Sequence, residues 1–64
     1  MITVNGENLD IGARTLSEYL QTAGYNIAGV AVELNGEIIA KKNYNHTELK
    51  DGDKMEIVKF VGGG

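Results

Sequence analysis

The residues that could carry chemistry in this 64-residue chain are few, and the most distinctive of them stand at its C-terminal end. The chain has no cysteine and one histidine, His46, so it offers no thiol nucleophile and no thiolate metal site. The last three residues are glycines, Gly62, Gly63 and Gly64. Glycine leaves the backbone bare, so a terminal carboxylate on such a segment can enter a narrow channel in another protein's active site. We therefore expect the reacting group to be the carboxylate of Gly64.

The strand that precedes the glycines carries a second feature, a pair of apolar side chains on its open face. Alternation along this strand places Met55 and Ile57 on the covered face of the sheet and Val58 and Phe60 on the other. Exposed apolar side chains beside a reactive tail are typical of a docking surface. The alternative is that the strand twists and Phe60 packs back onto the body. The predicted partner-binding residues are Val58, Phe60, Val61, Gly62 and Gly63.

The remaining polar residues do not form a catalytic or metal-binding constellation. His46 has no second metal ligand at a suitable spacing and is predicted to lie in a surface loop. The segment Asp51-Gly52-Asp53 lacks the rest of a calcium-binding loop and is predicted to be a turn before a strand. No bound metal or cofactor is expected. We predict that the chain is not an enzyme on its own.

The charge and the hydropathy of the sequence argue against nucleic-acid and membrane partners. The net charge is -3 and the six Lys and Arg residues are scattered, which argues against a nucleic-acid-binding surface. No apolar run approaches the roughly 20 residues needed to span a bilayer, and the N-terminal residues do not resemble a signal peptide. The sequence therefore predicts a cytoplasmic protein without a membrane partner.

Local signals define the elements that must position the tail. Asn5-Gly6 and Asn35-Gly36 are strong signals for two-residue hairpin turns between alternating strands. Thr15 and Glu18 have the spacing of a capping box, which predicts an amphipathic helix of about two and a half turns that ends before Gly24. The predicted strands are 2–4, 7–11, 30–34, 37–40 and 54–61, with a short helical turn near 44–49.

One helix must cover one face of a sheet made of two hairpins and a last strand, because hairpins alone are unstable in water. This gives an α+β fold, the two-layer ββαββ β-grasp of ubiquitin-like proteins, with the first and last strands adjacent at the centre of a mixed sheet. We assign residues 1–61 to this domain and residues 62–64 to a flexible tail. The predicted core consists of Ile2, Val4, Leu9, Ile11, Leu16, Leu20, Val30, Val32, Leu34, Leu49, Met55 and Ile57.

The whole chain resembles a known family, the small β-grasp sulfur carriers of thiamine biosynthesis (ThiS), which are related to ubiquitin. The resemblance is carried by the N-terminal strand and turn, the helix start, the second hairpin, and the last strand with its glycines. These are Met1–Gly6, Thr15–Leu20, Val32–Ile38 and Asp51–Ile57 followed by Gly63-Gly64. Gly62 departs from the family pattern, which requires two glycines.

The resemblance implies a function in which the protein presents an atom and its partners supply the activation. An ATP-dependent activating enzyme would adenylate Gly64, and a sulfur-relay protein would convert the adenylate to a thiocarboxylate. Thiazole synthase would then use this sulfur to build the thiazole ring of thiamine. The implied cofactor is ATP, used by the activating enzyme and not bound by this chain.

Three other functions remain open from the sequence. The molybdopterin-synthase small subunit shares the fold, the tail and the thiocarboxylate, although its members tend to be longer. A modifier conjugated to lysines uses a similar tail. A non-catalytic β-grasp binding module would need no diglycine and would more often carry a basic face.

Overall fold

The computed structural model describes residues 1–12 and 14–60 of the chain. The predicted tail and the last residue of the predicted final strand, Val61, Gly62, Gly63 and Gly64, lie outside the described residues. Within the described part, no helix has the length and apolar character needed to cross a membrane.

A mixed five-stranded sheet forms one layer of the fold and a short helix forms the other. The strands of this sheet are β1 (Ile2–Val4), β2 (Glu7–Leu9), β4 (Val30–Leu34), β5 (Glu37–Ile38) and β7 (Lys54–Lys59), and the helix is α1 (Leu16–Thr22). Two further strands, β3 (Arg14–Thr15) and β6 (Glu48–Leu49), pair with each other in a separate two-stranded sheet. The main sheet has the order β2-β1-β7-β4-β5, and β1 and β7 are parallel neighbours while the other pairs are antiparallel. The predicted α+β β-grasp architecture is confirmed.

Both hairpins turn at the predicted Asn-Gly pairs. Asn5 and Gly6 have φ values of 51° and 84°, and Asn35 and Gly36 have values of 53° and 84°. Two successive positive φ angles define the type I′ turn, whose twist matches that of the strands it joins. Asn tolerates this region better than most residues because its short side chain bonds locally.

Helix α1 begins with the predicted capping box. The Glu18 backbone N–H donates to the Thr15 hydroxyl at 3.1 Å, and the Thr15 N–H donates to the Glu18 carboxylate at 2.9 Å. The helix has seven residues, about two turns, and Gly24 follows its C-terminal end with a φ of 87°. The helix is therefore slightly shorter than predicted, while the predicted cap at Thr15 and the position of Gly24 beyond the helix end are confirmed.

The core lies between α1 and the covered face of the sheet. Nine of the predicted core residues are buried, while Leu9, Ile11 and Leu34 are half-buried at the margin. Tyr19 and Tyr44 complete the core and were not predicted. Burial raises the pKa of both phenols, because the phenolate loses its hydration.

The segment between β5 and β7 differs from the prediction. The predicted helical turn near 44–49 lies earlier, as a 3-10 turn at Lys41–Asn43. The end of the 44–49 segment is instead strand β6, which pairs with β3. Carbonyl groups of this segment accept hydrogen bonds from the free N–H groups at the start of α1, Leu16 to Thr47 at 2.7 Å and Ser17 to Tyr44 at 3.1 Å. Those contacts hold the turn at residues 44–46 and the short strand β6 against the helix start.

Three strands also end earlier than predicted. Strand β7, predicted over 54–61, ends at Lys59. Strand β2 stops at Leu9, because Leu9 pairs with Ile2, the first residue of β1, so residues 10 and 11 have no partner residue in that strand. Strand β5 stops at Ile38 because the chain turns away into the 3-10 turn that begins at Lys41.

The side chain of Asn5 continues the pairing of β7 beyond the end of β1. Its Oδ1 accepts from the Ile57 N–H at 2.7 Å, and its Nδ2 donates to the Ile57 carbonyl at 3.3 Å. The amide therefore acts as one more peptide unit in the sheet. Asn35 acts similarly on the other side, where its Oδ1 accepts from the Lys54 N–H at 2.9 Å.

We expect Asn5→Ala to lower the free energy of unfolding by about 2–3 kcal/mol, since it removes two hydrogen bonds and places alanine at a positive φ. Chemical denaturation measures the change, with the exposed loop residue Asn45 replaced by alanine as a control that should stay close to wild type. Asn5→Gly removes the hydrogen bonds without the backbone strain and should fall between wild type and Asn5→Ala. Equal stability of wild type and Asn5→Ala would contradict this role.

Candidate functional site

The end of β7 carries the predicted site residues that the structure describes. Met55 and Ile57 point into the core and are 0% and 7% exposed, whereas Val58 and Phe60 are 60% and 51% exposed. The predicted alternation is confirmed, since Val58 lies on the face of the sheet opposite the helix. Phe60 does not belong to the buried core. The alternative, in which the strand twists and Phe60 packs back onto the body, is therefore wrong.

The strand register identifies the neighbours of this pair on the open face. Ala31 lies directly opposite Val58 on β4, and Ile38 of β5 lies opposite Glu33 on the same face. Ile38 is 71% exposed, the highest value among the large apolar residues of the described chain. Sequence alternation could not place Ile38, because β5 has only two residues and no alternation to read. We call Ala31, Ile38, Val58 and Phe60 the open-face patch.

Backbone contacts fix the end of β7 where the described chain stops. The Phe60 N–H donates to the Gly29 carbonyl at 2.9 Å, which extends the β4–β7 pairing by one residue beyond Lys59. A groove beside this point is lined by Tyr25, Asn26, Gly29 and Lys59 together with Phe60. The ammonium of Lys59 lies 5.4 Å from the centroid of the Tyr25 ring. The described chain therefore stops at a hydrogen-bonded strand end that carries an exposed aromatic ring.

The acidic turn before β7 has a structural role. The Asp53 carboxylate accepts from the Lys50 N–H at 2.7 Å and from the Asn35 side chain at 3.0 Å, and Gly52 has a φ of 91°. His46 is exposed, and its backbone N–H donates to the Asn43 carbonyl at 3.0 Å. Among residues 1–12 and 14–60, no three His, Asp or Glu side chains are grouped to hold a metal ion.

Asp51 in this turn forms an ion pair with the N-terminal ammonium of Met1. The hydrogen bond between them lowers the pKa of Asp51 below its ordinary value of 3.8 and raises the pKa of the ammonium above 8.0. The carboxylate contributes stability above its unfolded pKa and loses it as the pH falls through the folded one. The ammonium contributes below its unfolded pKa and loses it as the pH rises through the folded one. The ion pair therefore contributes its full stability only above the unfolded pKa of Asp51 and below the unfolded pKa of the ammonium.

We expect N-terminal acetylation to raise the pKa of Asp51 toward its ordinary value, because the modification removes the positive charge of its partner. Side-chain carboxyl NMR shifts of Asp51, followed over an acid titration of the free and acetylated proteins, measure this change. Since both groups are exposed, the effect on stability should be small. Identical titration curves for the two forms would show that the pair does not form in solution.

Comparison with known proteins identifies the family of the chain. The model of the ThiS family matches residues 1–64, the whole chain. The chain belongs to the ThiS family. It is 38% identical over 64 residues to the sulfur carrier protein ThiS of Thermus thermophilus and 41% identical over 68 residues to that of Bacillus subtilis, with 100% of each chain covered in both cases. The resemblance inferred from the sequence is confirmed.

A solved structure and a longer relative add to this family assignment. The crystal structure of ThiS from Geobacter metallireducens superposes with a TM-score of 0.78 at 36% identity, covering 98% of this chain and 97% of that one. A thiazole synthase from Paramagnetospirillum magneticum is 42% identical over 64 residues, which are 98% of this chain and 20% of that protein. This ThiS-family chain therefore spans about a fifth of the length of that relative.

Proposed function

We propose that this chain carries sulfur as a thiocarboxylate on the C-terminal carbonyl of Gly64 and donates it to thiazole formation. The chain is a sulfur carrier protein of thiamine biosynthesis and a co-substrate rather than a catalyst. The observation that carries the proposal is the match of the whole chain to ThiS, with the terminal glycines included. That match favours the thiamine carrier over the molybdopterin-synthase subunit, the lysine modifier and the binding module.

The chemistry requires activation because a carboxylate is a poor electrophile. Attack of the Gly64 carboxylate on the α-phosphorus of ATP gives an acyl adenylate and releases pyrophosphate. A persulfide sulfur of the relay protein then attacks the acyl carbon and expels AMP. Reduction of the resulting acyl disulfide by a thiol leaves the thiocarboxylate. The activating enzyme supplies the ATP site, and this chain supplies the acyl group.

Three partners follow from this sequence of steps: an adenylating enzyme, a sulfur-relay protein and thiazole synthase. The relative from Paramagnetospirillum magneticum supports the last of them, because a segment similar to this chain lies within a protein named thiazole synthase. In our proposal residues 1–61 form the body, residues 62–64 form the flexible tail, and the cell compartment is the cytoplasm.

In this proposal the body binds the partner and the tail carries the reacting group. Val58 in β7 and Phe60 just after it are exposed, and both precede Gly62 and Gly63 by only a few residues. Docking of these side chains would hold the partner while Val61 and the glycines enter its channel. Because glycine has no Cβ, the channel needs only the width of a bare backbone. The body thus provides proximity for a reaction that occurs beyond its own surface.

Carrier-dependent exchange of radiolabelled pyrophosphate into ATP tests the first step. We expect a ThiS-activating enzyme to catalyse this exchange only when the carrier is present. Semisynthetic protein that ends in a Gly64 carboxamide is the matched control, since it keeps every side chain but has no carboxylate to adenylate. Exchange supported equally by the carboxamide form would place the activated group elsewhere and reject the proposal.

A further inference from the structure

Lys41 lies close to two aromatic rings at the end of the sheet where the described chain stops. Its ammonium donates to the Val30 carbonyl at 2.5 Å. The same nitrogen is 5.6 Å from the centroid of the Phe60 ring and 5.7 Å from that of Tyr44. Both distances are within the roughly 6 Å over which a cation is attracted to an aromatic face.

The hydrogen bond to Val30 has a specific origin in the sheet. The last backbone bond from this side of β4 runs from the Ile39 N–H to the Val32 carbonyl at 3.0 Å. Two residues further on, the Val30 carbonyl would pair with residue 41 if β5 continued, but a 3-10 turn begins at Lys41 instead. The side-chain ammonium of Lys41 takes the place of the missing backbone donor.

The opposite side of β4 holds Phe60. The Gly29 carbonyl accepts from the Phe60 N–H at 2.9 Å, so the backbone of Phe60 is bonded next to the residue whose carbonyl binds Lys41. The Phe60 ring then meets the Lys41 ammonium at the sheet end. Lys41 therefore contacts the last described residue of the chain through its side chain and the neighbouring strand through its hydrogen bond.

We propose that Lys41 is a positioning residue, whose ammonium fixes the Phe60 ring against the end of β4 and so orders the strand end that docks on the partner. This inference rests on the proposed function, in which Phe60 docks and the chain beyond it is threaded. A strand end that is ordered before binding does not have to be ordered by the partner, so its engagement costs less conformational entropy. Lys41 is therefore expected to affect the affinity for the partner and not the rate of the reaction at Gly64.

Lys42 provides the matched control because it is the next residue, has the same side chain and is also exposed. Among the described contacts of a cation with an aromatic ring, the two that involve Phe60 and Tyr44 are both made by Lys41. A general effect of charge on partner binding should affect both lysines. An effect through Phe60 should be specific to Lys41.

NMR of the free protein tests the contact without any partner. We expect ring currents to shift the ε-methylene protons of Lys41 upfield relative to those of Lys42, and Phe60→Leu to reduce this shift. We also expect Lys41→Ala to lower the backbone order parameter at Phe60, while Lys42→Ala leaves it unchanged. An unshifted Lys41 signal, or an order parameter at Phe60 that does not respond to Lys41→Ala, would overturn the proposal.

Steady-state kinetics of the activating enzyme test the consequence. Lys41→Ala should raise the KM for the carrier about fivefold with kcat within about twofold of wild type, a range set by the usual strength of an exposed cation–π contact. Lys41→Arg should restore most of the lost affinity, and Lys42→Ala should behave as wild type. An unchanged KM for Lys41→Ala, or an equal change for Lys42→Ala, would reject the positioning role. If wild-type carrier were never adenylated, the proposed function would fail, and the NMR experiment alone would decide whether Lys41 fixes Phe60.

Discussion

Removal of Gly63 and Gly64 is expected to abolish thiocarboxylate formation and to leave the fold intact. The two residues lie beyond the last described contact of the body, the hydrogen bond from the Phe60 N–H to Gly29. The shortened chain would end at Gly62 and would be about 7 Å shorter when fully extended. Because the acyl group must reach the nucleotide to be adenylated, a shortfall of this size should reduce the rate below detection.

Three measurements separate loss of function from loss of structure in this variant. The melting temperature and the amide NMR spectrum of residues 1–60 should match those of wild type. The truncated protein should still compete with wild type for the activating enzyme, since it retains Val58 and Phe60. Thiazole formation supported by the truncated carrier would show that the terminal glycines do not carry the sulfur.

Phe60→Ala is expected to weaken binding to the activating enzyme by about 10- to 100-fold, the range typical of an aromatic anchor at an interface. The free energy of unfolding should change little, because the ring is 51% exposed and does not belong to the buried core. Val58→Ala should act in the same direction with a smaller effect, since valine has less apolar surface to bury. Calorimetric titration with the activating enzyme and chemical denaturation give the two quantities.

Ile38→Ala is the control for this experiment. Ile38 is exposed on the same face of the sheet, but β5 lies at the edge and is separated from β7 by β4. The substitution removes apolar surface from the open face at a distance from the tail, so its effect on binding should be several times smaller than that of Phe60→Ala. A loss of several kcal/mol of stability in Phe60→Ala, with unchanged binding, would instead assign the ring a structural role.

The elements that could be predicted are those whose signals are local. The hairpin turns at Asn5 and Asn35 require positive φ angles, which Asn-Gly supplies whatever the rest of the chain does. The capping box of Thr15 and Glu18 is formed within four consecutive residues. The alternation of apolar and polar residues along β7 predicted which side chains face the core, and it correctly placed Val58 on the open face.

The features that could not be predicted depend on contacts between distant segments. Strands β3 and β6 have two residues each and exist because the 44–49 segment packs along the start of α1. Tyr44 is buried by the same packing, and no periodic pattern around it indicates a core position. The bonds of the Asn5 side chain to Ile57 join residues 52 positions apart. Lys41 is one of several scattered lysines in the sequence, and only the geometry of Val30 and Phe60 distinguishes it.

The central claim is that the sulfur is held on the carbonyl of Gly64, and intact mass spectrometry tests it most directly. The carrier would be incubated with ATP, a ThiS-activating enzyme and a persulfide sulfur source. Its intact mass would then be measured, and fragmentation would locate any change along the chain. The account predicts a gain equal to one exchange of sulfur for oxygen, located on the terminal residue and absent without ATP. An unchanged mass under conditions in which an authentic ThiS is converted, or a sulfur located on any other residue, would contradict it.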